Sequence, residues 1–154
     1  MVWYVFAILV LTGLRVNALI NDTTGCLLAC AYKRPDCAIS CILGTGTNAS
    51  YVEDMSLCEM YEGERPQRRP AVVINTEWGA FGNTGSLDIV RTEYDLKLDR
   101  DSLNPSKQVY EKLISGMYLG ELVRLILVDA VKQGIIFDGQ EQGALLSKGK
   151  FETR

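Results

Sequence analysis

The sequence predicts an α/β fold, with α+β as the neighbouring possibility, on three observations. Two short apolar runs bounded by turn residues, Cys37 to Leu43 and Ala71 to Ile74, read as strands. Helical stretches with start and stop signals are interleaved with them. The composition is that of an ordinary folded chain: 154 residues, 47% apolar and 23% charged, which suits one domain large enough to bury a core.

Taken in order, Val2 to Leu14 is an apolar block of 13 residues, too short for a bilayer span of about 20 and long enough for the apolar region of a signal peptide. Val16 to Ile20 reads as a buried strand ending at Asn21-Asp22-Thr23-Thr24-Gly25. Asp22 or Thr23 can cap a helix through Cys26 to Tyr32, stopped at Lys33-Arg34-Pro35. The strand Cys37 to Leu43, the turn Gly44-Thr45-Gly46-Thr47 and the extended Ala49 to Glu53 make a hairpin. A charged loop, Glu62 to Pro70, precedes the strand Ala71 to Ile74, which leads into Asn75-Thr76-Glu77-Trp78-Gly79 and a Gly-rich loop to Gly85. Leu87 to Asp101 is loop with a short helix. Asn104-Pro105 is a helix start, a cap followed by Pro at the first position. Helix then runs from Ser106 to about Gly134, divided at Gly116 and Gly120, since Gly costs about 1 kcal/mol against Ala in a helix interior. Residues 137–154 form a polar, Gly-rich tail.

With no His in the chain, Ser-His-Asp and Cys-His catalysis, HExxH metal sites and C2H2 fingers are excluded. The balance of 16 basic against 19 acidic residues argues against a nucleic-acid binder, which needs a basic face. The five Cys are an odd number crowded between Cys26 and Cys58, so at least one thiol is free. They read as buried, reduced thiols acting as small hydrophobes. Two sequons, Asn21-Asp22-Thr23 and Asn48-Ala49-Ser50, together with the apolar start, keep a secreted, disulfide-bonded binding protein as an alternative.

Gly44-Thr45-Gly46-Thr47-Asn48-Ala49 matches the GxGxxA dinucleotide fingerprint, which requires a strand before it and a helix after it. A plain hairpin turn and a phosphate-binding turn using backbone N–H groups and the Thr45 hydroxyl are the other readings. Asp22 follows a strand end, where open α/β sheets bind ligands. Glu77 follows the strongest strand, with Trp78 to shield it. Gln108 and Glu111 are spaced to share one helix face.

Four segments together resemble the eukaryotic hexokinase and glucokinase family. They are Leu19-Ile20-Asn21-Asp22-Thr23-Thr24-Gly25, Ile42 to Ala49, Asn75 to Gly82, and Ser102 to Glu121; the closing Phe151-Glu152-Thr153 also fits. The resemblance runs from about Val16 to Arg154 and implies part of the large domain of the actin-like, ribonuclease-H-like two-domain ATPase fold. Residues 1–15 do not match. It implies transfer of the ATP γ-phosphoryl group to the 6-hydroxyl of glucose or a related hexose in the cytoplasm, with Mg2+, at the head of glycolysis. Asp22 is then the general base. Asn21, Asn48, Glu77, Gln108 and Glu111 are the hexose contacts. Gly44, Thr45 and Gly46 contact nucleotide phosphates, with Gly116 and Met117 nearby. The resemblance also implies a small lobe, a first phosphate motif and an adenosine loop outside these 154 residues, so activity of this stretch alone is not expected, and a non-catalytic sugar- or partner-binding remnant is a further alternative.

Overall fold

The structure, a computed structural model, describes residues 18–65, 71–139 and 143–151. The apolar block, Val16 and Asn17, Pro66 to Pro70 and the residues after Phe151 lie outside the described residues. Ala18 to Ile20 carry no regular structure, so the described part of the first predicted strand is not strand.

Helix α1 spans Asp22–Lys33. Its cap is Asn21, whose side chain accepts from the N–H of Thr23 at 2.9 Å and of Thr24 at 3.4 Å. The helix therefore starts before the expected Cys26, and Thr23 is an interior residue with no solvent exposure rather than a cap. Strands β1 (Ile39–Leu43), β2 (Thr47–Asp54) and β3 (Ala71–Asn75) form an antiparallel sheet in that order. Cys41 pairs with Ala49 and Leu43 with Thr47. The Gly44–Gly46 segment is thus a hairpin turn followed by a strand, which removes the dinucleotide fingerprint, since that motif needs a helix after it. Side chains alternate across a strand, so Asn48 and the buried Ser50 share a face with Ser40 and Asn75. Helix α1 covers that face, with Thr23 and Leu27, one turn apart, buried on it.

The second half is helical: α2 (Glu93–Arg100), α3 (Val109–Ile114), α4 (Gly116–Lys132) and the short α5 (Gly143–Leu146). Thr92 and Asp95 close a reciprocal capping box at the start of α2. Leu98, Val109, Leu125, Val131 and Leu145 are buried among these helices. Asn104-Pro105 does not start a helix. The chain turns through residues 104–108, with Ser106 (φ 61°) and Gln108 (φ 54°) left-handed, and α3 begins at Val109. Long-range bonds override the local signal. The Asp99 carboxylate accepts the Ser106 N–H at 3.0 Å, and the Lys112 ammonium donates to the Asn104 carbonyl at 2.7 Å. The long helix breaks at the extended Ser115, while Gly120 lies inside α4.

Asp99, Lys112 and Arg91 form the one buried ion cluster among the described residues. Lys112 Nζ lies 2.6 Å and Arg91 Nη2 3.0 Å from the Asp99 carboxylate, and Lys112 is only 4% exposed. Burial pushes the Asp99 carboxyl upward, but Lys112, the Ser106 N–H and Arg91 outweigh it and hold it below the usual carboxylate range. A second contact joins the halves. Gly116 N–H donates to the Gly44 carbonyl at 2.8 Å and Met117 N–H to the Thr45 carbonyl at 3.1 Å. A Cβ on residue 116 would sit 3.0 Å from the Gly44 oxygen, tight enough that any other residue would push the hairpin tip back by a few tenths of an ångström.

A carboxyl whose folded pKa lies below its unfolded value of about 3.9 stabilises the fold above that value and loses the contribution as pH falls through the folded pKa. Thermal unfolding followed from pH 7 to 2.5 is expected to show this loss below about pH 4. Asp99→Asn should lower stability by about 3 kcal/mol at pH 7, because Lys112 is left buried beside a neutral amide, and should flatten the acid limb.

Candidate functional site

Four elements bring polar side chains to one place: the cap of α1, the start of β2, the end of β3 and helix α3. Asn48 Nδ2 donates to Asn75 Oδ1 at 2.7 Å and lies 3.3 Å from Glu77 Oε1 and 3.5 Å from Asn21 Oδ1. Asn75 Nδ2 donates to Glu77 Oε1 at 2.8 Å, and Asn21 Nδ2 reaches the same oxygen at 3.5 Å. An amide nitrogen has two hydrogens, so Asn48 cannot satisfy three acceptors at once. The network is rich in acceptors and short of donors.

Glu77 is aimed by its backbone, left-handed at φ 48° and ψ 41°. The next residue secures it: Trp78 Nε1 donates to Thr47 Oγ1 at 2.9 Å. Tyr110 stands edge-on to both Trp78 and Phe81, with ring centroids 5.8 and 6.2 Å apart. Thr76, Glu77, Trp78, Ala80, Phe81 and Tyr110 line an open cavity of about 540 Å³.

Glu111 Oε2 accepts the Thr47 N–H at 3.0 Å, one residue from Asn48. Two glycines make room for it. An added Cβ would lie 2.8 Å from Glu111 Oε2 at Gly46, and 3.3 Å from Glu111 Cβ and 3.5 Å from Gln108 Nε2 at Gly79. Gln108 is not on the helix face expected from its spacing. It is the left-handed residue preceding α3, yet both side chains still meet beside Gly79.

Asp22 is exposed at the start of α1, its Oδ1 accepting from Thr23 N–H at 2.8 Å and lying 3.4 Å from Thr23 Oγ1. It makes no hydrogen bond to Asn48, Glu77 or Glu111 among the described residues; its neighbour Asn21 carries the link to the network. No Lys or Arg pairs with Asp22, Glu77 or Glu111 among the described residues. The negative field registers at Tyr118, whose hydroxyl is pushed above its ordinary pKa by burial first, then by the charges of Glu111 and Asp99. Among the described residues no group of three His, Cys, Asp or Glu side chains is placed to hold a metal ion. Convergent acceptors without cations suit a ligand that offers several hydroxyl donors.

The residues expected at the nucleotide are also brought together. Gly44, Thr45 and Gly46 form the turn clasped to Gly116 and Met117. Thr45 and Met117 are exposed, and the space where a Gly44 side chain would stand is empty to 4 Å. Met117 also borders a second cavity of about 340 Å³ with Tyr118, Glu121, Lys148 and Phe151. There Arg124 holds the Glu121 carboxyl below its ordinary range.

The five thiols are free, as expected, but none is buried: Cys26, Cys30 and Cys41 are exposed, Cys37 and Cys58 half-buried. They are not the core hydrophobes the sequence suggested, because apolar spacing alone does not say which face of α1 meets the sheet. Both sequon asparagines are engaged in the network, and the sequon residues Thr23 and Ser50 are fully buried. Among the described residues no helix is long and apolar enough to cross a membrane.

The hexokinase family model matches residues 38–154. This chain belongs to the hexokinase family. It is 55% identical to human hexokinase HKDC1 over 139 residues, covering 90% of this chain and 15% of that protein. It is 52% identical to Schistosoma mansoni hexokinase over 142 residues, covering 92% of this chain and 31% of that protein. The structure of the Schistosoma mansoni hexokinase complexed with glucose superposes with a TM-score of 0.81 over 88% of this chain and 30% of that one, at 51% identity. A second hexokinase crystal structure gives a TM-score of 0.72 at 34% identity, over 96% of this chain and 29% of that one. The chain thus spans less than a third of these relatives, and its helices and small sheet are part of the two-domain, actin-like fold of hexokinases.

Sequence reasoning did not single out Asn75, which the structure places between Asn48 and Glu77; it stood inside the quoted Asn75 to Gly82 segment as an unremarked strand end. It also missed Asp99 and Lys112, whose pairing is tertiary.

The left-handed backbone at Glu77 gives a stability test. Replacement by Gly removes the Cβ strain of that conformation, replacement by Ala keeps it. Urea unfolding should find Glu77→Gly more stable than Glu77→Ala by about 1 kcal/mol.

Proposed function

We propose that this hexokinase segment supplies the sugar pocket, the general base and one phosphate-contacting turn for ATP-dependent phosphorylation of glucose or a related hexose at its 6-hydroxyl. The observation that carries the reading is the convergence of Asn21, Asn48, Asn75, Glu77 and Glu111, an acceptor-rich set without cations, beside Asp22 and the Gly44–Gly46 turn. Sugar hydroxyls donate to the carboxylates and amide oxygens and accept from the amide N–H groups and Gln108. A hexose lacking one hydroxyl would leave a buried acceptor unpaired, which is the basis of discrimination.

Asp22 takes the proton of the 6-hydroxyl as its oxygen attacks the γ-phosphorus and the bond to the β-phosphate oxygen breaks, leaving ADP and the sugar phosphate. A carboxylate within hydrogen-bond reach of the hydroxyl is the side chain suited to accept that proton. Phosphoryl transfer rests on positioning and charge neutralisation and needs no His. The open space at Gly44 and the exposed Thr45 hydroxyl and backbone fit a phosphate group, with Gly116 and Met117 holding that turn in place. ATP would supply the phosphoryl group, and a Mg2+ ion bound with it would neutralise phosphate charge; among the described residues no cluster of three His, Cys, Asp or Glu side chains is placed to hold the ion by itself. This chemistry belongs to cytoplasmic glycolysis.

The test is a chimera in which residues 18–151 replace the matching stretch of the Schistosoma mansoni hexokinase. Asp22→Ala should lower kcat by at least about 100-fold with the glucose Kd within threefold; retained turnover removes Asp22 from the role of base. Glu77→Ala and Glu111→Ala should each weaken glucose binding at least about tenfold, and an unchanged Kd overturns the pocket.

A second reading, sugar binding without turnover, is favoured by Asp22, which makes no hydrogen bond to Asn48, Glu77 or Glu111 among the described residues while Asn21 joins the network. The chimera separates the two: glucose binding without ATP turnover supports the second reading, and turnover overturns it.

A further inference from the structure

We propose that Asp99, which does not belong to the polar network of the pocket, is a positioning residue that sets hexose affinity by fixing the segment bearing Gln108 and Glu111; the inference rests on the sugar-pocket reading above. Three features carry it. The segment at residues 104–108 holds two non-glycine residues in left-handed backbone, Ser106 at φ 61° and Gln108 at φ 54°, a conformation that persists only where the surroundings enforce it. Beside the Asn83 side chain, which accepts the Val109 N–H at 3.2 Å, and the Phe81 carbonyl, which accepts the Tyr110 N–H at 3.1 Å, the contacts at the turn itself converge on one carboxylate. Asp99 accepts the Ser106 N–H at 3.0 and 3.2 Å through its two oxygens and binds Lys112 Nζ at 2.6 Å. Lys112 then donates to the Asn104 carbonyl at 2.7 Å. Lys112 follows Glu111 directly on α3, so the same hub holds both ends of the stretch: the turn before Gln108 and the helix that presents Glu111 to Thr47.

The hub is therefore a lever on substrate affinity at a distance from substrate. Arg91, the third partner at 3.0 Å, also pairs with Asp88 at 3.4 Å, so two cations meet two carboxylates, and it touches neither Asn104 nor Ser106 among the described contacts. Loss of the hub frees Gln108 and Glu111 to leave the arrangement at Gly79, while Asp22 and the Gly44–Gly46 turn stay as they are.

The experiment is a double-mutant cycle in the chimeric hexokinase, with Asp99→Asn, Lys112→Met and the pair together. Asp99→Asn leaves Lys112 and Arg91 without their shared carboxylate, whereas Lys112→Met leaves Asp99 with Arg91 and the Ser106 N–H; both should lower Tm, Asp99→Asn more. The double variant removes the ammonium that Asp99→Asn strands, and its Tm should recover above that of Asp99→Asn, because replacing both partners is less destabilising than removing one. Positioning predicts that the glucose KM is raised at least about tenfold in all three, the double included, with kcat and the nucleotide KM within twofold. It also predicts faster amide exchange at residues 106–109 in each, measured equally on the unmodified chain. A glucose KM that returns to the parental value together with Tm, or that never rises while the parent binds glucose, overturns the inference and leaves the pocket intact. A parental chimera that fails to bind glucose overturns the pocket reading itself, and the inference falls with it.

Discussion

Two backbone hydrogen bonds, Gly116 to Gly44 and Met117 to Thr45, are the constraint on which the rest of the architecture turns. They tie the tip of a hairpin to the first turn of the longest helix. A sheet face carrying Asn48 and a helical segment carrying Glu111 then have a fixed separation. Side-chain contacts could not set that separation as tightly, because rotamers yield and backbone carbonyls do not. The glycine at 116 keeps the approach close, since a Cβ there would crowd the Gly44 oxygen at 3.0 Å. The Thr47 N–H and the Trp78 indole reinforce the junction from the side. The amides and the carboxylate around Asn48 all come from the first half; the closure adds Glu111 of the helical half beside them, at the Thr47 N–H.

The polar network and the ion cluster work by opposite electrostatic logics. Around Asn48 and Glu77 there are more acceptors than donors and no cation among the described residues. Around Asp99 two cations and a backbone N–H satisfy one carboxylate. A fully paired cluster rigidifies its surroundings, whereas an under-paired one is left with capacity for a ligand. The protein places the two types within one turn of α3, at Glu111 and Lys112, so the stiff element directly supports the receptive one.

What was legible in the sequence was local. The hairpin, β3 and a helix through Cys26 to Tyr32 follow from apolar runs and turn residues, and all formed, the helix capped by Asn21 rather than by the expected Asp22 or Thr23. The four family-like segments named the residues that the structure gathers beside Gly79 and Asn48. What was not legible depends on tertiary partners. Asn104-Pro105 is a sound helix start by local rules, yet Asp99 and Lys112 bend those residues into a turn instead. Gln108 kept its place near Glu111 through a left-handed backbone that no spacing rule anticipates. Asn75 became central only because β2–β3 register sets it on the face of Asn48. The thiols illustrate the same boundary: their clustering is visible in one dimension, their exposure is decided by which side of α1 lies on the sheet.

Glu77 and Gln108 share one further property with a wider consequence. Both present their side chains from left-handed backbone, which among the described non-glycine residues they share with Ser106, Phe137 and Asp138. Reversal of hand at a single residue swings the Cβ vector to the other side of the main chain. Chirality itself therefore decides which way these two groups face. A peptide bond plane that relaxed to the common hand at either position would withdraw a polar arm from the cluster while leaving every strand and helix where it is. The pocket is thus more fragile than the scaffold, and its shape can change without the scaffold unfolding.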